Sequence, residues 1–156
     1  ELNIMTIPTT FDGAIISVSA DNPAAYTAAG FADAGVITYA VLGEVINLPE
    51  IGRVYTDVAY NSLAVRGTRH IKGSYEEPEI PIEIGVDRLD AGQIVLKTAS
   101  DSDASFSFKV AYGNGEIDFF LGKVFSLVSA GGDNNTTRVI TANVRIDHQG
   151  VIAVAA

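Results

Sequence analysis

The 156-residue sequence predicts a mainly β fold, an antiparallel β-sandwich or partly open barrel, with one flanking α-helix and a long projecting arm. Three observations support this prediction. Apolar and polar residues alternate in several short runs, hairpin turns separate these runs, and a single stretch has helical periodicity. Because 47% of the residues are hydrophobic, one domain over residues 1–156 can bury a sizeable core.

The first third of the chain predicts two strands separated by an excursion. Alternation of apolar residues over 14–18 predicts the first strand. Residues 21–35 are rich in small residues and turn formers, which favours an ordered loop over a helix but leaves its role open. Residues 36–48 are rich in β-branched side chains and predict a second strand, which Pro49 ends.

Residues 53–75 form the most unusual segment of the chain. They hold four of the ten Lys and Arg residues, one of the two histidines and three of the six tyrosines. We interpret them as two strand-like halves of an arm around the turn sequence NSLAVRG. One interpretation is a solvated loop without a specific role. The other is a projecting arm whose cations pair with an acidic neighbouring subunit.

An acidic strand is predicted directly after the arm. Over residues 79–86, one face is predicted to carry Ile80, Ile82, Ile84 and Val86, and the other Glu79, Pro81 and Glu83. Pro81 cannot donate a hydrogen bond to a neighbouring strand, so we expect this strand to lie at an edge or to pair through one side there.

A helix is predicted over about residues 87–99, with Asp87 as its N-cap and Lys97 near its C-terminus. Gln93 falls on the exposed side, and Ile94 lies off the apolar stripe, as surface or as a contact with a neighbouring subunit. The predicted buried stripe consists of Leu89, Gly92, Val95, Leu96 and Ala99.

The last third of the chain predicts a hairpin, a polar loop and a final strand pair. The first hairpin strand alternates through Phe106, Phe108, Val110 and Tyr112, and GNG forms the turn. The return strand is expected to place one set on a single face: Ile117, Phe119, Leu121, Phe125 and Leu127. Gly122 is a candidate bulge or close approach. The following strand is expected to point inward through Ile140, Ala142, Val144 and Ile146.

Composition excludes several classes of function. A formal net charge of −9 argues against a protein that grips nucleic acid or an anionic membrane. The absence of cysteine excludes disulfides and thiolate metal sites. No apolar run approaches the roughly 20 residues of a membrane span, so we expect a soluble protein with no membrane partner.

Catalytic and metal-binding motifs are also missing. Asp147 and His148 are neighbours in a predicted strand and should point to opposite faces. Asp101 and Asp103 have the spacing of calcium ligands, but the remaining ligands of a calcium loop are absent. We therefore expect no enzyme, no catalytic residue, no cofactor and no metal.

Much of the chain resembles the tail tube (major tail) proteins of long, non-contractile-tailed bacteriophages. The resemblance covers about two-thirds of the sequence, from about Leu42 onward. It rests on the order of three segments: GEVINLPEIGRVYTDVAYNSL, then RHIKGSYEEPEIPIEIGVDRLDAGQIVLKTASDSDASFSFKVAYGNGE, then FLGKV. None of these segments is a catalytic signature.

This resemblance implies a structural protein that forms hexameric rings, stacked as a hollow tube through which double-stranded DNA passes without specific binding. It implies a virion location after synthesis in the bacterial host cytoplasm, and other tail proteins as partners: tape measure, tail terminator and distal tail proteins. The arm would reach adjacent subunits, the helix would cover the outer side of a sheet, and other sheet faces would line the lumen.

Two sets of residues become candidates for these roles. Glu116 and Asp118 are candidates for the lumen wall, where carboxylates would repel phosphate, or are ordinary solvent-facing charges. The candidate inter-subunit contacts are Arg53, Tyr55, Tyr60, Arg66, Arg69, His70, Lys72, Tyr75 and Ile94. The alternative function is a monomeric β-sandwich binding module, carbohydrate-binding or adhesin-like, that would use exposed tyrosines.

Overall fold

A computed structural model describes residues 12–48 and 50–155. The elements are β1 (Ile15–Ser19), α1 (Ala28–Phe31), β2 (Ala40–Val41), β3 (Val45–Asn47), β4 (Val54–Asn61), β5 (Thr68–Glu76), β6 (Glu79–Gly85), α2 (Ala91–Ser100), β7 (Phe106–Ala111), β8 (Ile117–Ser129), β9 (Val139–Ile146) and β10 (Ile152–Val154). Most of the strands join one antiparallel sheet, which curls into a half-barrel. Its strand order is β2-β1-β7-β8-β9-β6-β3, and β10 also pairs with β8. Strands β4 and β5 form a separate two-stranded sheet.

The main core lies between the sheet and α2. Alternate residues of β1, β6, β7, β8 and β9 face it, together with Leu96 and Ala99 of the helix. Phe108 and Phe120 stack in its centre with ring centroids 5.2 Å apart. The mainly β fold with a flanking helix is thus confirmed, and the single curled sheet matches the partly open barrel.

The N-cap of helix α2 lies three residues after the predicted N-cap, Asp87. Asp90 is the N-cap and accepts hydrogen bonds from the backbone N–H groups of Gln93 and Gly43, each at 3.1 Å. Asp87 instead closes the preceding turn by accepting from the Leu89 N–H, so Leu89 is 91% exposed and the prediction that it is buried was wrong. The predicted exposure of Gln93 was also wrong.

Gln93 is buried because its amide joins two loops to the helix. Where β6 leads into α2, its Nε2 donates to the Gly85 carbonyl at 2.8 Å and its Oε1 accepts from the Asp87 N–H at 3.0 Å. In the loop between β2 and β3, the Gly43 carbonyl also accepts from Nε2, at 3.4 Å. The Gln93 side chain therefore supplies hydrogen-bond partners for backbone groups of both loops. The helix also approaches β2 closely at Gly92, where a Cβ would lie 2.3 Å from the Val41 carbonyl oxygen.

The predicted strand over residues 36–48 is two short strands. Leu42 turns into the core between them, and Glu44 has a φ of 58°, which interrupts extended backbone. The Glu44 carbonyl accepts from the Gly85 N–H at 2.8 Å. Pro49, the predicted end of this strand, lies outside the described residues.

The excursion over residues 21–35 contains one helical turn, α1, and has a packing role. Thr27 caps it by accepting from the Gly30 N–H, and Phe31 is fully buried. Phe31 stacks on Phe119 with centroids 5.6 Å apart, on the face of β8 opposite Phe120. Both faces of this part of β8 are therefore covered.

Strand β8 does not keep one apolar face, because its register shifts between Val124 and Ser126. Phe125 lies at this bulge and is 63% exposed, so the prediction of a single face shared by residues 117, 119, 121, 125 and 127 was wrong. Residues 117, 119 and 121 pack with Phe31 and Ile37 in a second apolar cluster, whereas Leu127 packs against the main core. Gly122 is the predicted close approach: a Cβ there would lie 2.7 Å from Val144 Cγ1.

Candidate functional site: the arm hairpin and its base

The arm predicted over residues 53–75 is a hairpin of β4 and β5 joined by residues 62–67. Nearly every residue of both strands is exposed. The strands pair antiparallel from Val54 opposite Glu76 to Asn61 opposite Thr68, with a register shift after Tyr55. In the described part of the chain, the two strands pair only with each other.

One side of this hairpin, which we call the polar face, carries side chains that partner one another. Asp57 Oδ2 lies 2.7 Å from His70 Nδ1, and the Lys72 ammonium lies 4.3 Å from the centre of the Tyr55 ring. The rings of Tyr55 and Tyr75 meet edge to face at 5.7 Å. Exposed pairs of this kind order the side chains and contribute little to stability.

The other side, which we call the apolar face, carries Val54, Val58, Tyr60 and Ile71. Val58 is directly opposite Ile71, and the next residue on this face along β4, Tyr60, is opposite Arg69. Their exposed fractions lie between 41% and 62%. The turn adds Leu63, which is fully exposed, and Val65 at 41%.

The arm base is the point where the hairpin joins the body. Arg53 Nε lies 2.6 Å from Glu77 Oε1, and the Glu77 side chain is only 3% exposed. The Arg53 guanidinium also lies 3.8 Å above the Tyr75 ring and donates to the His148 carbonyl at 3.3 Å. The hydrogen bond to Glu77 raises the pKa of Arg53 further above its usual value. These contacts set the direction of the arm within its own subunit.

The arm base contacts the turn that follows β9. Tyr75 donates from its hydroxyl to the His148 carbonyl at 3.2 Å. Gly150 has a φ of 79°, and a Cβ there would lie 2.6 Å from an Arg53 nitrogen. Tyr26 of the excursion donates to the Gly150 carbonyl, so one turn joins the arm base to the α1 region. No sequence pattern marks Glu77 or Gly150 as base residues, because their partners lie far away in the chain.

Asp147 and His148 also contact each other, contrary to the prediction from strand alternation. The strand ends at Ile146, so both residues lie in the turn, where neighbouring side chains are free to meet. The His148 side chain is 78% exposed. A second link from the body to the arm is Arg145, whose guanidinium lies 3.6 Å from Glu76 and 3.0 Å from Glu79.

The structure distributes the predicted contact residues over five places. Arg53 and Tyr75 are in the arm base, and the polar face holds Tyr55, His70 and Lys72. Tyr60 and Arg69 are on the apolar face, and Arg66 is in the turn. Ile94 is elsewhere, 53% exposed on α2, beside a groove of 430 Å³ that Leu127 and Ile140 also line.

The two predicted lumen carboxylates have different surroundings. Glu116 is exposed in the turn before β8. Asp118 accepts a hydrogen bond at 2.7 Å from the Tyr112 hydroxyl and is half-buried. Burial and this carboxylate raise the pKa of Tyr112. The carboxylate of Asp118 therefore has a partner within the subunit, whereas that of Glu116 is turned to solvent.

A polar sheet face lies opposite the main core on β6, β9 and the second half of β8. Cross-strand rows run from Glu79 through Arg145 to Lys123, and from Glu83 through Thr141 to Val128. We call it the open face, because no described element covers it. Its two acidic and two basic residues balance in charge.

No group of three or more potential metal ligands occurs among residues 12–48 and 50–155. Within the same residues, no helix has the length and apolar character needed to cross a membrane. Comparison with protein-family models gives no match, and no curated protein matches significantly.

Solved structures do match, and they define a class of fold: that of the tube components of phage tails and injection systems. A contractile injection system sheath/tube terminator (PVC) is 13% identical, with a TM-score of 0.67 over 96% of this chain and 99% of that one. The SPP1 tail tube is 13% identical, with a TM-score of 0.61 over 91% and 77%. The tail of an empty gene transfer agent particle is 14% identical, with a TM-score of 0.58 over 90% and 96%.

At these identities the likeness establishes the fold alone. The resemblance to tail tube proteins is confirmed at that level. The narrower expectation of a non-contractile tail stays a prediction, because the neighbours include contractile injection systems as well as the SPP1 tail tube.

Proposed function

We propose that this chain is a structural, non-enzymatic subunit that assembles with copies of itself into hexameric rings, stacked as a hollow tail tube in a phage or phage-like particle. The observation that carries this proposal is the freestanding arm hairpin on a body with the tube-component fold. An isolated two-stranded hairpin is at best marginally stable in water, so an arm of this length implies a partner.

A contact between the arm of one subunit and the body of the next joins two different surfaces. Such a heterologous contact repeats around an axis and closes a ring when the rotation permits. The inter-subunit contacts are proposed among the arm residues named above, with Ile94 on α2 as a contact of the body. The six-fold symmetry reported for the gene transfer agent tail supports a ring of six.

The open face is the surface that we assign to the channel, since it is polar and has no cover within the subunit. Its charges balance, so repulsion of a passing polyanion such as double-stranded DNA would come from other carboxylates. Glu116 is the better candidate because its side chain is exposed, whereas Asp118 is held by Tyr112. Repulsion would keep DNA mobile by preventing counterion release on contact.

The remaining partners are other tail components, among them a tape measure, a tail terminator and a distal tail protein. Neighbouring structures that include a tube terminator and a terminating cap support this type of partner. The location that follows is the virion tail, after synthesis in the host cytoplasm. A carbohydrate-binding or adhesin-like module is less well supported, because cations already cover Tyr55 and Tyr75.

The test is negative-stain electron microscopy of the purified chain over a concentration series. We expect rings or tubes from the full chain. A matched variant replaces residues 58–71 with Asn-Gly, which joins Asp57 to its cross-strand partner Lys72 by a two-residue turn. This variant should keep the far-UV spectrum of the body and remain small. Uniform small particles from the full chain at all concentrations would contradict self-assembly.

A further inference from the structure

The two faces of the arm hairpin differ in a way that identifies its docking side. On the polar face, Asp57, Lys72 and their partners satisfy one another. On the apolar face, Val54, Val58 and Ile71 are 62%, 46% and 54% exposed. Burial of apolar area is the main favourable term in association. The exposed aliphatic side chains of the two strands lie on the apolar face, whereas the exposed rings of the polar face, Tyr55 and Tyr75, lie under the cations of Lys72 and Arg53.

We infer that the apolar face of the arm docks on the acidic body of a second copy of this chain, while the polar face stays turned away and keeps the hairpin ordered. This inference rests on the proposed self-assembly and specifies its contact. It narrows the arm contacts to Val54, Val58, Tyr60, Arg69 and Ile71, together with the turn residues Leu63, Val65 and Arg66. Three of these were predicted from sequence.

Charge selects a second copy as the occupant. Residues 53–75 contain four Lys or Arg residues and one Asp, a net charge of +3, whereas the rest of the chain contains six basic and eighteen acidic residues, a net charge of −12. The arm is thus a cationic projection from an anionic protein. Opposite potentials steer association and discriminate against other partners.

The cations that serve this contact are Arg66 and Arg69. Neither forms an ion pair with any described residue, whereas Arg53 is engaged by Glu77 and Lys72 lies over Tyr55. Arg69 lies on the apolar face opposite Tyr60, next to the Val58 and Ile71 pair. A guanidinium at the edge of an apolar patch, aimed at a carboxylate of the next body, is a common arrangement at the rim of protein interfaces.

The decisive experiment compares two adjacent cross-strand pairs that point to opposite faces. V58T/I71T changes the apolar face, and A59T/H70T changes the polar face at the neighbouring pair. Threonine keeps the β propensity of both strands. We expect V58T/I71T to raise the concentration needed for assembly by at least about 100-fold, because two buried apolar groups are lost. A59T/H70T should stay within about 3-fold of the original chain.

A charge pair of variants gives an independent readout. Arg69→Gln should weaken assembly and reduce its dependence on ionic strength, whereas Lys72→Gln should change neither. Far-UV circular dichroism of the unassembled variants confirms that each subunit is folded. All six substituted positions are exposed, so unfolding of the body is not expected.

The chain has no cysteine, so single cysteines can carry a thiol-specific photocrosslinker. Val58→Cys should crosslink to the body of another copy within assembled material, and Ala59→Cys should not. The inference is overturned if V58T/I71T assembles like the original chain, or if only Ala59→Cys crosslinks. If the original chain never assembles, the proposed function and this contact fail together, which is a different result.

Discussion

The body and the arm are both built from antiparallel strands, but they differ in how much side-chain area these strands bury. Strands β6, β7 and β9 each bury alternate side chains in the core, and β8 is covered on both faces over its first half. Strands β4 and β5 bury almost nothing. Hydrogen-bonded pairing alone therefore gives an extended hairpin, and stable structure needs a second layer. The body supplies its own layer with α2, whereas in the proposed assembly the arm finds one on a second copy of the chain.

Hydrogen exchange should show this difference most strongly. In the unassembled subunit, amides of β8 and β9 should exchange through global unfolding, and those of β4 and β5 through local opening. We expect protection factors at least about 10³-fold lower in the arm. Exchange measured by mass spectrometry or NMR tests this. Equal protection in arm and body would mean that the hairpin is stable by itself.

A truncation in the core should cost far more than the same truncation in the arm. Phe108 is fully buried and stacked on Phe120, so Phe108→Ala should lower the free energy of unfolding by about 3–5 kcal/mol. Ile71→Ala removes an exposed side chain and should change it by less than about 0.5 kcal/mol. Chemical denaturation of dilute protein checks both values. A cost above 2 kcal/mol for Ile71→Ala would show that the arm packs within its own subunit.

Two glycines sharpen the comparison at the level of a single methyl group. A Cβ at Gly122 would meet Val144 Cγ1 at 2.7 Å and the Arg145 carbonyl at 3.1 Å, so Gly122→Ala should destabilise by about 1–3 kcal/mol. A Cβ at Gly67 in the arm turn would meet nothing within 4 Å. Gly67→Ala should be neutral or slightly stabilising, because alanine restricts the unfolded chain. Thermal melts compare the two variants directly.

The N-cap of α2 tests how far the helix depends on one side chain. Asp90→Ala removes the acceptor for two backbone N–H groups and should cost about 1–2 kcal/mol. Asp101→Ala removes only the exposed pair with Lys97 and should cost less than about 0.5 kcal/mol. Urea unfolding followed by circular dichroism measures both. Equal effects of the two substitutions would mean that the negative charge of a carboxylate, and not capping by Asp90, stabilises the helix.

The free energy of unfolding measured at alkaline pH should show the smallest of these effects. Burial raises the pKa of Tyr39, which packs against the α1 region, to about 12 from an unfolded value near 10. The neutral phenol is therefore favoured in the folded state, and its stability contribution, complete below pH 10, is lost as pH rises through 12. Tyr39→Phe should reduce this loss. Tyr26 and Tyr112 also have raised pKa values, so part of the loss will remain.

Local patterns were predictable where one face of an element alternates without interruption. Ile80, Ile82 and Ile84, as well as Ala142 and Val144, are buried as predicted, because a period of two in a half-buried strand leaves few alternatives. The exposed two-strand arm was also predictable from its composition. Failures occurred where the period breaks: at Glu44, which splits a strand, and at Phe125, where a bulge reverses the faces.

Side chains with distant partners could not be assigned from sequence. Gln93 looked like a surface residue on a helix, but two loops, at Gly43 and at residues 85–87, converge on it and supply partners for both ends of its amide. Glu77 looked like one of several acidic residues, yet among those that the structure describes it alone is buried, and it pairs with Arg53. In each case the deciding contact depends on how separate segments meet.

The sequence by itself determined the mainly β class, the one long helix, the acidic body and the basic, aromatic arm. These properties follow from local periodicity and from charge, which neighbouring residues carry in any conformation. The tertiary structure alone decided which arm residues point to which face, how Arg53 and the turn at Gly150 aim the hairpin, and which sheet face stays open. Those properties depend on register and on close approach between segments, because a shift of one residue in pairing exchanges the two faces of a strand.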